Sequence, residues 1–160
     1  MYIIKKYYQL LNFGIVMVTD IRITQDKNDI LSCLQLRRTV FIEEQNVPED
    51  EEVDGDDPNC EHVLLTINEN PVGAARLKYY DNFIKVQRVC VLEGYRGQGI
   101  GSNIINFIIN YVKENGIRQS VRLGSQTHAL EFYKRLGFIE FGDEYLDAGI
   151  LHKDMAYQIK

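Results

Sequence analysis

The 160-residue chain has no tryptophan, three prolines, three cysteines, three histidines and no long apolar run. Each scarcity excludes something. A membrane-spanning helix needs about 18–20 consecutive apolar residues, so no membrane partner is expected. Cys33, Cys60 and Cys90 are odd in number and widely spaced, with no CxxC pair. A disulfide framework and a zinc cluster are therefore not expected, and the three read as reduced thiols of a cytoplasmic protein. The one close Cys/His pair, Cys60-x-His62, lacks two further ligands, so no metal is expected. No basic stripe with interleaved aromatics appears, which argues against nucleic acid.

What is present is an uneven charge. Residues 43–61, "EEQNVPEDEEVDGDDPNCE", hold ten of the 23 acids and none of the 18 bases. The rest of the chain is net basic, which suits a polyanionic small ligand. The acidic loop is either a solvated segment or a device that concentrates a cation near a cleft. On charge alone, Glu52 and Asp54 are candidates to draw in an amine, while Arg37 and Arg38 are candidates to pair with the loop.

The length sets one domain as the prior. In residues 1–16, Lys5 and Lys6 precede apolar residues as in a leader. Tyr7, Tyr8, Gln9 and Asn12 interrupt the apolar stretch, and no small-residue cleavage site follows. This segment is expected to be an extension, with an extra packed helix as the alternative, and residues 17–160 a single domain.

Alternation predicts a strand over 18–23. Asp26 or Asn28 can cap a helix over 29–42, with Ile30, Cys33, Leu34 and Val40 as its apolar stripe. Strands follow over 62–67, 72–80 and 83–92, joined by turns too short for parallel crossovers. A helix over 102–115 buries Ile104, Ile105, Ile108, Ile109 and Val112. A short strand over 119–123 leads to a helix over 126–136, whose Gly137 and Phe138 fit a Schellman end against Tyr133. Strands near 139–141 and 150–157 close the chain. The order β-α-β-β-β-α-β-α-β-β reads as α/β on a mixed, mostly antiparallel sheet.

The stretch Tyr95-Arg-Gly-Gln-Gly-Ile-Gly-Ser102 puts three glycines in five positions between a strand and a helix. A bare turn needs one glycine, seldom three. A dinucleotide fingerprint fails, because its third glycine would fall at Ser102 and no acid follows about 20 residues on. A P-loop fails for want of Gly-Lys-Ser/Thr. What survives is a strand, a tight loop and a helix start whose amides can cradle an anion.

Arg96-Gly-Gln-Gly99-Ile-Gly101 resembles the R/Q-x-x-G-x-G/A motif of the GNAT N-acetyltransferases. Residues 126–138, "QTHALEFYKRLGF", resemble that family's later helix, and residues 36–48, 54–57 and 149–155 resemble its ElaA-like branch. The resemblance covers residues 17–160. It implies acetyl-CoA as co-substrate, with phosphate contacts at Arg96, Gly97, Gln98, Gly99, Ile100, Gly101 and Ser102. It also implies pairing of the pantetheine arm with the main chain of Val89, Cys90 and Val91, in a slot where neighbouring strands splay. Gln126 and Phe132 complete the implied cofactor contacts. The implied reaction is N-acetylation of a primary amine on a small molecule or peptide. Tyr133 matches the family's general acid. His62, His152 and, through water, Glu61 are the candidate bases. A non-catalytic acyl-CoA-binding regulatory module is the alternative, and a homodimer is compatible with either.

Overall fold

The computed structural model describes residues 4–10, 16–116 and 120–160, with side chains from residue 17 onward. Among the described residues eight strands follow the hydrogen-bonded order β1-β2-β3-β4-β5-β6-β8-β7. They are β1 (Ile4–Leu10), β2 (Val16–Thr24), β3 (Glu61–Ile67), β4 (Asn70–Tyr79), β5 (Phe83–Val91), β6 (Ser120–Gln126), β7 (Ile139–Asp147) and β8 (Ile150–Gln158). By packing, the chain forms two compact units, Met1–Arg76 with Arg88–Ile104, and Leu77–Gln87 with Ile105–Lys160.

In the first unit β1 pairs antiparallel with β2, from Ile4 opposite Arg22 to Leu10 opposite Val16, and β2 pairs antiparallel with β3. The segment expected as an extension or a helix is therefore a strand in its described part. Helix α1 (Lys27–Arg37) starts at Asp26, whose side chain accepts from the Asn28 and Asp29 amides. It was expected to run on to residue 42. Instead it passes into a seven-residue π-helix, Arg38–Glu44. The wider turn changes which side chains face inward. Leu36 and Arg37 are buried, while Leu34 is only half-buried. Cys33, Leu36 and Val40 pack with Leu64 of β3, Ala74 of β4 and Cys90 of β5, flanked by Phe41 and Leu92. The Cys33 and Cys90 thiols are free, and burial pushes both up to about 12. The acidic segment contains a four-residue helix, α2 (Glu49–Glu52), and a 3-10 turn, Asp57–Asn59.

Helix α3 (Ile100–Asn115) buries Ile104, Ile105, Ile108, Ile109 and Val112, and leaves Asn103, Asn106 and Asn110 exposed, as its spacing predicts. In the second unit β5 pairs parallel with β6 from Phe83 opposite Ser120 to Lys85 opposite Arg122. β6 pairs antiparallel with β8, and β8 with β7. The later helix is shorter than expected: a 3-10 turn, Thr127–Ala129, precedes α4 (Leu130–Arg135). Its end matches the sequence reading. The Phe138 amide donates to the Tyr133 carbonyl at 3.1 Å and the Gly137 amide to the Lys134 carbonyl at 2.9 Å. Gly137 sits at φ +93°, which closes the Schellman turn and sets the Phe138 ring 5.8 Å from that of Tyr133.

Gly73 of β4 has a packing reason to be small. A Cβ there would stand 2.9 Å from Ile104 Cδ1 and 3.3 Å from the Cys90 carbonyl oxygen. Overpacking of this kind costs about 1–3 kcal/mol. Gly73→Val is expected to lower unfolding free energy in urea by that amount, and Gly73→Ala by less. Equal stability of both variants and the parent would contradict this packing.

Candidate functional site

Beyond Val91 the chain turns sharply. The Leu92 amide donates to the Val72 carbonyl at 3.0 Å, and a 3-10 turn, Glu93–Tyr95, leads into the glycines. Gly97 and Gly99 hold φ of +74° and +80°, a region costly for any residue with a Cβ. A Cβ at either would meet nothing within 4 Å, so conformation and not crowding within the chain demands glycine there. The Gly99 carbonyl accepts from the Asn103 amide at 2.9 Å, the first hydrogen bond of α3. The amides of the opening turn, Ile100, Gly101 and Ser102, have no acceptor within their own helix. No acidic side chain stands in that turn. Gly101 lies inside the helix, so only two of the three glycines are left-handed.

Arg96 was expected at the phosphates. Its guanidinium makes a bidentate pair with Glu44, 2.7 Å at each contact, and its Nε donates to the Val91 carbonyl at 2.9 Å. Glu44 closes the π-helix, so this pair ties that helix to the glycine loop. The Gln98 side chain donates from Nε2 to the Gly94 carbonyl at 3.0 Å. Cys90 turns its side chain into the core.

The acidic segment is organised around three arginines. Arg37 is 1% exposed and Arg76 0%. Arg37 donates to Glu52 and to Asp57, each at 2.5 Å. Arg76 is bidentate to Asp54 at 2.8 and 2.6 Å and reaches Asp57 at 3.3 Å. Arg88 Nε stands 2.6 Å from Glu52 Oε2 as an ion pair, with its N–H not aimed along a hydrogen bond. The Arg76 guanidinium holds the Asp54 carboxyl far below its usual range. Burial works to raise Asp57, but Arg37 and Arg76 outweigh it and the net shift is down. The idea that Glu52 and Asp54 gather an amine is thereby corrected. Glu52 is 3% exposed, and both carboxylates are neutralised by arginine. The alternative expectation, that Arg37 and Arg38 pair with the loop, agrees with the structure; Arg38 reaches Glu49 at 2.7 Å.

His62, a candidate base, lies in the same cluster. Its Nε2 faces the Asp57 carbonyl at 3.4 Å and its buried Nδ1 has no hydrogen-bond partner. Burial lowers its pKa and keeps the ring neutral. Glu61 opens β3, half-buried.

The remaining candidates belong to the second unit. Tyr133 is 8% exposed on α4, edge-on to Phe132 at 4.9 Å, and burial pushes its hydroxyl well above the usual phenol range. His152 of β8 stacks on Tyr145 at 5.9 Å. Its Nδ1 lies 2.8 Å from the Ile150 carbonyl oxygen. A carbonyl only accepts, so Nδ1 carries the proton and Nε2 of the neutral ring keeps its lone pair. Gln126 closes β6 opposite His152 instead of opening a helix. Among the described residues no group of His, Cys, Asp or Glu is arranged to hold a metal, and no helix is long and apolar enough to cross a membrane.

Sequence reasoning missed Glu44, Asp57, Arg76 and Arg88. A signal existed for the arginines, because ten acids without a base need cations from elsewhere. Arg76 and Arg88 stand in otherwise apolar strands, where an arginine must find a partner.

A glycine loop entering a helix from a mixed, mostly antiparallel sheet is an arrangement suited to holding an anion. Residues 23–159 match the family model described as an acetyltransferase (GNAT) domain, and the chain belongs to that family. It is 35% identical over 134 residues to an uncharacterized N-acetyltransferase, YjcF, of Bacillus subtilis, covering 83% of this chain and 95% of that one. It is 32% identical to protein ElaA of Escherichia coli over 137 residues, 82% of this chain and 89% of that one. The crystal structure of Escherichia coli ElaA superposes with a TM-score of 0.74 at 31% identity, covering 83% and 92% of the two chains. A GNAT acetyltransferase from Elizabethkingia anophelis with acetyl-CoA bound shares the fold, with a TM-score of 0.68 at 18% identity over 88% and 98% of the chains. Family membership implies acyl transfer from an acyl-CoA, generally to an amine.

Asp54 and Asp57 both have folded-state pKa values below those of a free carboxyl. Their contribution to stability is complete above the unfolded-state value near ~4 and is lost as pH falls below it. Unfolding free energy measured from pH 7 to pH 2 is expected to fall gently below about pH 6.5, where His62 takes a proton in the unfolded chain but not in the native one, and to drop further below about pH 5 as Asp54 and Asp57 protonate. Asp54→Asn is expected to cost about 1.5–3 kcal/mol at pH 7, the range for hydrogen bonds to charged groups, and to flatten the acid drop. An unchanged acid profile in that variant would remove Asp54 from the cluster's energetics.

Proposed function

We propose that the chain moves an acetyl group from acetyl-CoA to a primary amine of a small molecule or peptide by direct attack on the thioester. The observation that carries this reading is the pair of left-handed glycines, Gly97 and Gly99, opening α3 with no acid in its first turn. Free amides there, aided by the helix dipole, suit a pyrophosphate. The main chain of Val89, Cys90 and Val91, at the end of β5, would run beside the pantetheine arm. Support for acetyl-CoA itself comes from the family and from the relative that binds it.

An alkylamine titrates near ~10.4 and must shed a proton before it attacks. His152 is the favoured base, because its Nδ1–H is engaged by a carbonyl and its Nε2 can accept. His62 ranks below it, since it lies at the floor of an ion-pair cluster and is 1% exposed. Tyr133 is the proposed general acid. A phenol is protonated at neutral pH, so Tyr133 has a proton to give to the departing thiolate. With Glu52 and Asp54 occupied by arginines, no preference for polycationic amines follows from that pair.

The test is acceptor-dependent release of free thiol from acetyl-CoA across a panel of cationic, neutral and anionic amines. Coenzyme A at 100 times its dissociation constant should stabilise the fold by about 2.7 kcal/mol. Tyr133→Phe is expected to keep that stabilisation while kcat falls at least about tenfold, the low end of general acid catalysis. Gly99→Val is expected to abolish the stabilisation. Stabilisation without turnover on any amine would favour a regulatory acyl-CoA-binding module; no stabilisation at all would overturn the coenzyme assignment.

A further inference from the structure

Five non-glycine residues among those described have a positive φ: Asn46, Asn68, Glu69, Arg88 and Ala148. Asn68, Glu69 and Ala148 form turns and Asn46 follows the π-helix, whereas Arg88, at φ +53°, lies inside a strand. Arginine has no local side-chain bond that favours the left-handed region, unlike asparagine. Ile84, Val86 and Cys90 are buried and their odd-numbered neighbours half-buried, so the alternation of β5 is missed at one position, Arg88, which is half-buried where a buried side chain is due. Something outside the strand must hold this conformation.

The holder is visible in the contacts of the guanidinium. Arg88 Nη2 donates to the Glu51 carbonyl at 3.0 Å and lies 3.4 Å from both the Glu52 carbonyl and Asp54 Oδ2. Its Nε is 2.6 Å from Glu52 Oε2, while Glu52 Oε1 accepts from Arg37 Nε at 2.5 Å. Glu52 therefore divides its two oxygens between an arginine fixed at the end of α1 and an arginine in the irregular part of β5. Arg37 also donates to the Glu52 carbonyl at 3.2 Å, fixing backbone and side chain together.

We infer that Glu52 is a positioning residue: anchored by Arg37, it holds Arg88 in its left-handed conformation and so sets the course of Val89, Cys90 and Val91. The importance of this for catalysis rests on the proposed function, in which those three residues flank the pantetheine arm. The role is backbone geometry. The Arg88 side chain serves as the tether.

The experiment compares Arg88→Ala with Arg88→Gly. Both remove the guanidinium, but only glycine adopts a positive φ freely. Backbone amide resonances of Val89, Cys90 and Val91 are read without ligand, and coenzyme A affinity is read by calorimetry. Arg88→Ala is expected to displace those resonances and to bind coenzyme A at least ten times more weakly than Arg88→Gly, whose resonances stay near the parent positions. Glu52→Gln should resemble Arg88→Ala, and adding Arg88→Gly to Glu52→Gln should restore the resonances. If Glu52→Gln fails to fold, Glu52→Asp takes its place: it keeps the charge but shortens the reach to Arg88 and is expected to displace the same resonances, whereas parent-like resonances in it overturn the role of Glu52. Equal displacement in the two Arg88 variants, or none in either, overturns the inference. Because the resonances need no ligand, a parent protein that ignores coenzyme A would sink the proposed function while leaving this test intact.

Discussion

Arginines taken out of water set the terms for the first unit. Arg37 and Arg76 are essentially inaccessible, and neither can shed its charge at any relevant pH. Each must therefore be met by carboxylates in good geometry or the fold loses several kcal/mol. Glu52, Asp54 and Asp57 meet that demand, and their shared hydrogen bonds with Arg37, Arg76 and Arg88 make one connected network. This requirement explains why a segment rich in acid and poor in apolar residues is ordered at all. A four-residue helix such as α2, without a side-chain cap, has little reason to form alone. It forms because its last residue is gripped from two sides.

The same accounting changes the electrostatic picture drawn from composition. Read as a string, the acidic segment is a block of unopposed negative charge. Folded, its inner carboxylates are cancelled by basic residues from α1, β4 and β5, which are distant in sequence. What remains outward is the exposed part, including Glu51 and Asp50. The glycine loop presents the opposite case. It carries no charge of its own in the first turn of α3, and Arg96 nearby is paired with Glu44. Any attraction there for an anion comes from backbone amides and the helix dipole, which point charges elsewhere in the chain do not reveal.

These contrasts mark what was legible in the sequence. Local rules that concern a few neighbouring residues read well. The Schellman end at Gly137, the Asp26 cap and the buried face of α3 all follow from spacing and residue type. Features set by distant partners did not. The passage of α1 into a π-helix depends on how Leu36, Arg37 and Val40 must face β3, β4 and β5, and no periodicity in residues 29–42 announces it. The strand at residues 4–10 is defined by pairing with β2, not by alternation. The Arg76–Asp54 and Arg37–Asp57 pairs span about twenty residues each, and only the surplus of acids hinted that such partners were needed.

Replacing a buried ion pair by apolar side chains of the same volume is often neutral or stabilising, so stability alone is a weak reason for this network. Geometry is a stronger one. A hydrophobic cluster fixes density but tolerates sliding, because its contacts have no direction. A carboxylate held between two guanidinium groups has direction: its oxygens fix where each arginine ends, and each arginine fixes the backbone that carries it. In β5 that matters because the strand departs from regular conformation at Arg88, immediately before three residues whose main-chain groups the proposed function engages. An apolar side chain at 88 would have nothing to pull against and the strand would relax toward extended geometry. On this view the charged network persists because an irregular backbone needs an anchor with a definite direction, and only buried, paired charge supplies one there.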